Sequence, residues 1–344
     1  MKKKITLLLL TLVLIFLAYN LRQSWFARYE VIELPVLPEY VESSGSLINN
    51  QGCVLVGCSR PNPQATSYMD DTKGVDALWS PDREMAVIPD MFHTQALNDL
   101  NQIAGTVGDV TSHQACVYDA TMGLRAIDIP DMRQTWGCDI NNQGILLAYG
   151  IAIDTNGATD EMIVGWNLKD GTQEFQIDCR STPFSLRINE NNQVGGLYRT
   201  EKGYIGNPLL MDPEAGFFIY EGIQIGGRVS FNDRGDFIFS KEYKDATFFD
   251  GEKLFPIHSF LDLGEDADLG DLNNRGQVVG YSMTQASIRL FGIGFTGRDD
   301  WYAKLVKWYY SHDPYVMNTR AIFWENGRTY DLNDLIPSDS GWFL

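Results

Sequence analysis

The chain has 344 residues, of which 44% are hydrophobic and 12% aromatic, so it can bury a sizeable core and is not a disordered polypeptide. Its formal net charge of −18 at pH 7 disfavours binding to the phosphate backbone of a nucleic acid. The same charge is compatible with a cationic ligand or calcium, or simply with a soluble surface.

At the amino terminus, Lys2 to Lys4 precede an uncharged run from Ile5 to Leu21. This pattern predicts a signal anchor or a signal peptide within residues 1–28, followed by a domain at 29–344. Small residues are not well placed for cleavage, so we favour an uncleaved transmembrane helix over a removed signal peptide. The lysines keep the amino terminus in the cytoplasm, which places the domain outside it.

A short motif recurs six times after this segment, at intervals of 41 to 49 residues. Each copy has an apolar residue followed by Asn, and three positions later stands Gly or Asn, the residues that best tolerate a positive φ. The pattern predicts a tight hairpin turn that leads into an apolar strand. The six asparagines are Asn49, Asn98, Asn141, Asn189, Asn232 and Asn273. Because every copy carries it, we interpret this Asn as a requirement of the turn rather than as a ligand-binding residue.

A second element alternates with the first and consists of a short apolar strand, a polar turn and another strand. Ala115–Tyr118 and Ala321–Trp324 are clear copies, whereas Met162–Trp166 and Pro208–Met211 are degraded ones. Each repeat thus holds about four strands, which is typical of a propeller blade. We therefore predict an all-β, six-bladed β-propeller, with seven blades or a β-solenoid as alternatives.

The ends of the domain suggest how a propeller would close. The segment Tyr29–Leu34 resembles the last strand, Arg328–Leu332. We therefore expect Tyr29–Leu34 to form a strand that completes a blade beside it.

One repeat is longer than the others, with an insertion at 282–319. Within it, Asp299–Tyr310 has helical periodicity. This segment is either packed on its own blade, or a lid or partner-binding helix, or a contact with the nearby membrane. The candidate partner-binding residues are Trp301, Leu305, Trp308 and Tyr309.

The sequence gives only weak indications of a metal site or of disulfide bonds. The five cysteines form no CxxC pair and the four histidines are far apart in sequence, which disfavours zinc. The cysteines either form one or two disulfides with one thiol left over, or are buried free thiols. Asp154–Glu161 has oxygen-rich spacing that could bind calcium, but its Gly is at the fourth position whereas an EF-hand loop requires Gly at the sixth, so we favour a polar hairpin loop.

No nucleophile elbow, zinc-protease, Walker or dinucleotide-binding motif is present. The adjacent carboxylates Asp70–Asp71 and Asp299–Asp300 could act in acid–base catalysis, but neighbouring acids are common on protein surfaces. The residues therefore identify neither a catalytic group nor a cofactor.

The repeats resemble the HAF-type extracellular repeat family of bacterial secreted and surface proteins. The resemblance is clearest in Leu272–Ser282 and in Arg320–Gly327, which runs on into Asp331–Pro337. It implies a protein of the bacterial cell envelope, either membrane-anchored or secreted. It supplies no catalytic residues.

These observations predict a propeller that acts as a binding or scaffold module for a protein or glycan partner, with the membrane contacted through the amino-terminal helix. The alternative is an extracytoplasmic hydrolase with a glycosidase-like carboxylate pair at the mouth of the propeller channel. Calcium-dependent adhesion is a third hypothesis.

Overall fold

A computed structural model describes residues 29–61, 72–89, 93–109, 112–153, 159–179, 184–199, 206–212, 216–219, 229–241, 244–257, 267–284, 288–290, 293–295 and 318–337. Apart from one 3-10 helix, Leu332–Asp334, every regular element in these residues is a β-strand. None of the described residues belongs to a helix that could cross a membrane. The predicted anchor at 1–28 lies outside them.

The chain divides into two compact units. The unit Glu33–Ile225 holds four sheets, each made of four consecutive antiparallel strands in sequence order, and we call these sheets blades 1 to 4. Blade 1 contains β1 (Glu42–Ile48), β2 (Val54–Pro61), β3 (Thr72–Ser80) and β4 (Arg83–Val87). Blade 2 contains β5 (His93–Leu97), β6 (Ile103–Val107), β7 (Gln114–Asp119) and β8 (Gly123–Ala126). Blade 3 contains β9 (Met132–Ile140), β10 (Ile145–Ile153), β11 (Thr159–Asn167) and β12 (Thr172–Cys179). Blade 4 contains β13 (Phe184–Ile188), β14 (Val194–Arg199), β15 (Gly206–Asp212) and β16 (Gly216–Ile219).

The second unit, Met1–Ile32 with Gly226–Leu344, holds blades 5 and 6. Blade 5 contains β17 (Val229–Phe231), β18 (Phe237–Lys241), β19 (Lys244–Phe249) and β20 (Leu254–Pro256). The remaining strands are β21 (Ala267–Leu272), β22 (Val278–Thr284), β23 (Ile288–Leu290), β24 (Ile293–Phe295), β25 (Asn318–Glu325) and β26 (Arg328–Asp331). Blade 6 consists of β21, β22, β25 and β26 in that order, and β23 pairs with β24 in a separate two-stranded sheet.

The alternation of side chains along the strands explains why these sheets stack. In β10, Leu146 and Ala148 pack in a core shared with blade 2, whereas Ile145 and Leu147 pack in a core shared with blade 4. Blade 3 is thus apolar on both faces and packs against a neighbour on each side. The fold is a six-bladed β-propeller, as predicted, and the described residues form no seventh four-stranded blade.

The predicted closing strand is wrong. No strand is present in residues 29–41, and blade 6 is complete with its own four strands. The backbone N–H of Tyr29 instead donates to the carbonyl of Leu335 at 3.1 Å, and its ring packs edge-on against Phe323 with centroids 5.9 Å apart. After β26 the chain enters the 3-10 helix, capped by Asp331, and Tyr29 binds just beyond this helix.

Between β22 and β25 of blade 6, in the segment of the predicted insertion, the structure describes β23 and β24. Its predicted helix, including Trp301, Leu305, Trp308 and Tyr309, falls outside the described residues. The same holds for Asp70–Asp71, Asp299–Asp300 and residues 154–158 of the possible calcium loop.

Candidate functional site

The recurring Asn closes the turn between the first two strands of each blade. Each Asn Oδ1 accepts the backbone N–H of the fourth residue after it, at 2.9 to 3.0 Å. The residue three positions after each Asn has a positive φ, from 60° at Asn101 and Asn192 to 84° at Gly144. The geometry agrees with the interpretation that this position requires Gly or Asn and that the repeated Asn serves the turn.

The other end of the Asn side chain joins consecutive blades within each unit. The Nδ2 of Asn49 donates to the carbonyl of Asn98, that of Asn98 to Asn141, and that of Asn141 to Asn189, at 2.9 to 3.1 Å. In the other unit, Asn232 donates in the same way to the carbonyl of Asn273 at 3.0 Å. The turn motif therefore also fastens one blade to the next, which the sequence pattern did not indicate.

The Nδ2 of each of these asparagines also donates to a second acceptor. The residue four positions after the Asn determines which side chain supplies that acceptor. Asn98 donates to Oε1 of Gln102 at 2.9 Å, and the following turn then has Gly144 at its left-handed position. Ile145 offers no such acceptor, and Asn141 donates instead to Oδ1 of Asn192, the left-handed residue of the following turn, at 2.8 Å.

The remaining turns in the two units follow the same rule. Cys53 offers no side-chain oxygen, and Asn49 donates to Oδ1 of Asn101 at 2.8 Å. Asp236 offers a side-chain oxygen, and Asn232 donates to it at 2.8 Å. The next turn then has Gly276 at its left-handed position. In these turns, the left-handed position is Asn where the preceding turn has no side-chain oxygen four residues after its own Asn. It is Gly where the preceding turn has such an oxygen.

The residues that follow the motif asparagines form a second chain of hydrogen bonds. The Asp99 carboxylate accepts from the backbone and side chain of Asn50, and from Nδ2 of Asn142 at 2.9 Å. Both carboxylate oxygens of Glu190 accept the backbone N–H of Asn142, at 3.0 and 3.2 Å. Burial raises the pKa of Asp99, but the hydrogen bonds from Asn50 and Asn142 outweigh it and hold this pKa below its ordinary value of 3.8. These carboxylates bridge turns.

All five cysteines are free thiols; Cys53, Cys58 and Cys116 are buried, and Cys138 and Cys179 are half-buried. Burial raises the pKa of Cys116 and Cys138 to about 12 and that of Cys179 to about 11, so none of the three is poised as a nucleophile near neutral pH. Across the described residues, no three His, Cys, Asp or Glu side chains are grouped so as to hold a metal ion.

The candidate site is a cleft of about 510 Å³ on blade 3, lined by residues from all four strands of that blade. Its apolar lining comes from Trp166, Met162 and Met132, which are half-buried and border the core shared by blades 2 and 3. Its polar lining includes Gln173 and Gln176 of β12. The complete lining is Pro130, Asp131, Met132, Ala152, Met162, Trp166, Gly171, Thr172, Gln173 and Gln176.

Blades 2 and 3 differ in the length of their outer strands. The outer strand of blade 3, β12, has eight residues, whereas the outer strand of blade 2, β8, has four.

A bulge in the pairing of β11 with β12 places both glutamines on the cleft side. Gly165 pairs with Phe175 and Trp166 pairs with Gln173, so Glu174 is the extra residue. Beyond it, Phe175 and Ile177 pack toward the core on the opposite face, and Gln176 reaches back to the Sδ of Met162 at 2.9 Å. An apolar floor bordered by amide donors and acceptors suits the side chain and backbone of a peptide.

The sequence did not predict this site, although one segment that lines it belongs to a recognised repeat. Met162–Trp166 was recognised only as a degraded copy of the repeat. Its alternate residues Met162 and Trp166 are large and lie at the border of a shared core. Large apolar side chains at the end of a degraded repeat were the available signal.

No protein-family model and no curated protein matches the chain. Among solved structures, it is similar to the β-propeller domain of the Trilobed protease from Pyrococcus furiosus, with a TM-score of 0.52 and 10% identity over 86% of this chain and 84% of that one. It is also similar to the acylaminoacyl peptidase of Pyrococcus horikoshii, with a TM-score of 0.51 and 11% identity over 90% of this chain and 46% of that one. The likeness is one of fold. The chain spans about half the length of this peptidase.

Proposed function

We propose that this protein is a binding module whose partner is a protein that enters the cleft on blade 3. The observation that carries the proposal is the combination of Trp166, Met162 and Met132 with the amides of Gln173 and Gln176 in one open cleft. Aromatic and Met side chains are enriched in the energetically dominant parts of protein interfaces.

The way the blades are joined supports this role. Blades 1 to 4 are linked by the amides of Asn49, Asn98 and Asn141 in addition to their apolar cores. A binding surface on such a framework is held in shape before the partner arrives, which lowers the entropic cost of association.

We further propose that the protein belongs with HAF-type repeat proteins and works in the bacterial cell envelope, held by residues 1–28 or secreted. The lysine-flanked apolar run and the motif in Leu272–Ser282 support this placement. Cell fractionation, with detection of the chain by an antibody, tests it; recovery in the cytosolic fraction would contradict it.

The alternative function, hydrolysis, draws its support from the two peptidases whose propellers are similar in fold. At 10 to 11% identity this likeness carries no activity or catalytic residue over to the present chain. The binding module therefore remains the function that the described residues support best.

Affinity capture from an envelope extract tests the proposed function. The immobilised full chain is compared with Trp166→Ala and with Trp79→Ala, a matched control because Trp79 is a half-buried tryptophan on the third strand of blade 1, away from the cleft. We expect a partner that is retained by the native chain and by Trp79→Ala and lost by Trp166→Ala. Retention of the same proteins by all three would argue against the cleft as the binding site.

A further inference from the structure

The outer strand of blade 3 differs from the outer strands of the other five blades. β12 has eight residues, whereas β4, β8, β16, β20 and β26 have three to five. At roughly 3.3 Å per residue, β12 offers an edge of roughly 26 Å to a further strand. Proteins usually keep such edges short or interrupt them with Pro or Lys.

β12 contains no Pro and no basic residue, whereas the outer strand of blade 5 ends in Pro256. The one irregularity of β12 is the bulge at Glu174, beyond which residues 175–179 continue the pairing with β11. One edge of β12 pairs with β11 over Glu161↔Cys179 to Asn167↔Thr172. The other edge of β12 pairs with no strand in the part of the chain that the structure describes.

This open edge lies directly beside the cleft, because Thr172, Gln173 and Gln176 belong to both. A strand added to β12 would place alternate side chains on the cleft side of the sheet. One of them could enter the space above Trp166 and Met162. Backbone pairing and a side-chain pocket are the two features of peptide recognition by strand addition.

Charge indicates what kind of peptide would fit. Glu174 and Asp178 are exposed on β12, and this strand has no positive charge to balance them. Two copies of β12 paired antiparallel would bring like charges together, and each chain carries a formal net charge of −18. A basic peptide segment is therefore favoured over a second copy of this chain.

We propose that β12 recruits an extended, basic segment of a partner protein, which adds a fifth strand to blade 3 and inserts one bulky apolar side chain into the cleft beside Trp166. This inference rests on the proposed function, since it concerns the same cleft, and it adds the binding mode and the chemistry of the partner.

The probe is a phage-displayed library of random dodecapeptides selected on the purified full chain. We expect enrichment of Pro-free peptides with Lys or Arg at alternate positions and one aromatic or large aliphatic residue. Selection on Glu174→Lys/Asp178→Lys should lose this basic preference. Asp82→Lys/Glu252→Lys is the matched control, because it reverses two exposed charges outside β12 and should keep the preference.

The best selected peptide is then synthesised with and without N-methyl groups on alternate residues, placed on one edge of the peptide at a time. Methylation of the edge that faces β12 removes two or three backbone hydrogen bonds, so affinity measured by fluorescence anisotropy should fall at least about tenfold, with little effect from the other edge. Trp166→Ala should weaken binding by a similar factor.

Three results would overturn the inference: no peptide enriched over selection on Glu174→Lys/Asp178→Lys, an acidic or Pro-rich consensus, or equal binding of both methylated peptides. A dimer of the native chain in light scattering that disappears in Glu174→Lys/Asp178→Lys would assign the edge to a second copy instead. If a Trp166-dependent partner is still captured from the envelope, the proposed function stands and only strand addition fails.

Discussion

Replacement of Asn141 by Ala tests the role of the turn asparagines most directly. Asn141 is 2% exposed, and its side chain makes three hydrogen bonds. Oδ1 accepts the N–H of Ile145 at 3.0 Å, and Nδ2 donates to the carbonyl of Asn189 and to Oδ1 of Asn192 at 3.1 and 2.8 Å. At about 1 kcal/mol for each bond, with a further penalty of about 1–3 kcal/mol for leaving the Ile145 N–H buried without this acceptor, the loss in free energy of unfolding is about 4–6 kcal/mol.

The matched control is Asn273→Ala, at the same position of the motif in blade 6. Asn273 is exposed, its amide donates to its own Gln277, and water can replace the bonds that are lost. We expect a loss of about 1 kcal/mol there. Urea unfolding followed by tryptophan fluorescence gives the free energy of unfolding of both variants. Equal losses of this free energy in the two variants would refute the link between the size of the loss and the burial and inter-blade contacts of Asn141.

Three further predictions concern the same framework. Gln102→Ala removes the second acceptor of Asn98 and should lower the free energy of unfolding by about 1 kcal/mol. Gly144→Asn should restore part of this loss, because the introduced Asn side chain would offer a replacement acceptor. The added Cβ has room, since the nearest atom to it is Lys169 Cε at 3.8 Å. In a double-mutant cycle on urea unfolding, additive effects of these two changes would contradict the idea that they supply the same acceptor. The depressed pKa of Asp99 means that its ionised form favours the folded state, so this contribution is present above the ordinary value of 3.8 and is lost as the pH falls below it. Asp99→Asn should therefore flatten the decline of stability in acid unfolding, and a decline identical to that of the native chain would count against the bridge. Because the five thiols are free, dithiothreitol should not change the melting temperature, and Cys116 and Cys138 should react with iodoacetamide at pH 8 only after unfolding, as mass spectrometry of labelled peptides would show.

The blades could be predicted from the sequence because local physics fixes them. The six motif turns need a residue that accepts a positive φ, and Gly52 and Asn192 reveal this need directly in the chain. The strands that follow are apolar on both faces, as Ile145–Ala148 shows, and such strands require neighbours on both sides. Turn chemistry and stacking together leave few architectures other than a propeller.

The cleft and the contacts between blades could not be predicted in the same way. The cleft is lined by residues from all four strands of blade 3 and from the segment just before β9, and these residues come together only when the sheet has formed. The bond from Asn141 to Asn192 joins residues 51 apart, so it becomes visible only when the blades are stacked. The closing strand was predicted wrongly because Tyr29–Leu34 has the composition of a strand, whereas blade 6 already has its four strands.

The hydrogen bonds that the motif asparagines donate from one turn to the next have a direction. In each of them the donor belongs to the earlier blade and the acceptor to the later one. The accepting carbonyls of Asn98, Asn141 and Asn189 also receive the N–H of the left-handed residue in their own turn, so they keep a partner if the preceding blade is removed. If the following blade is missing, the Nδ2 of the motif Asn loses its carbonyl acceptor, and no other carbonyl of the described residues replaces it. During synthesis, the Nδ2 groups of Asn49, Asn98 and Asn141 therefore each gain their carbonyl partner only when the next blade has been made.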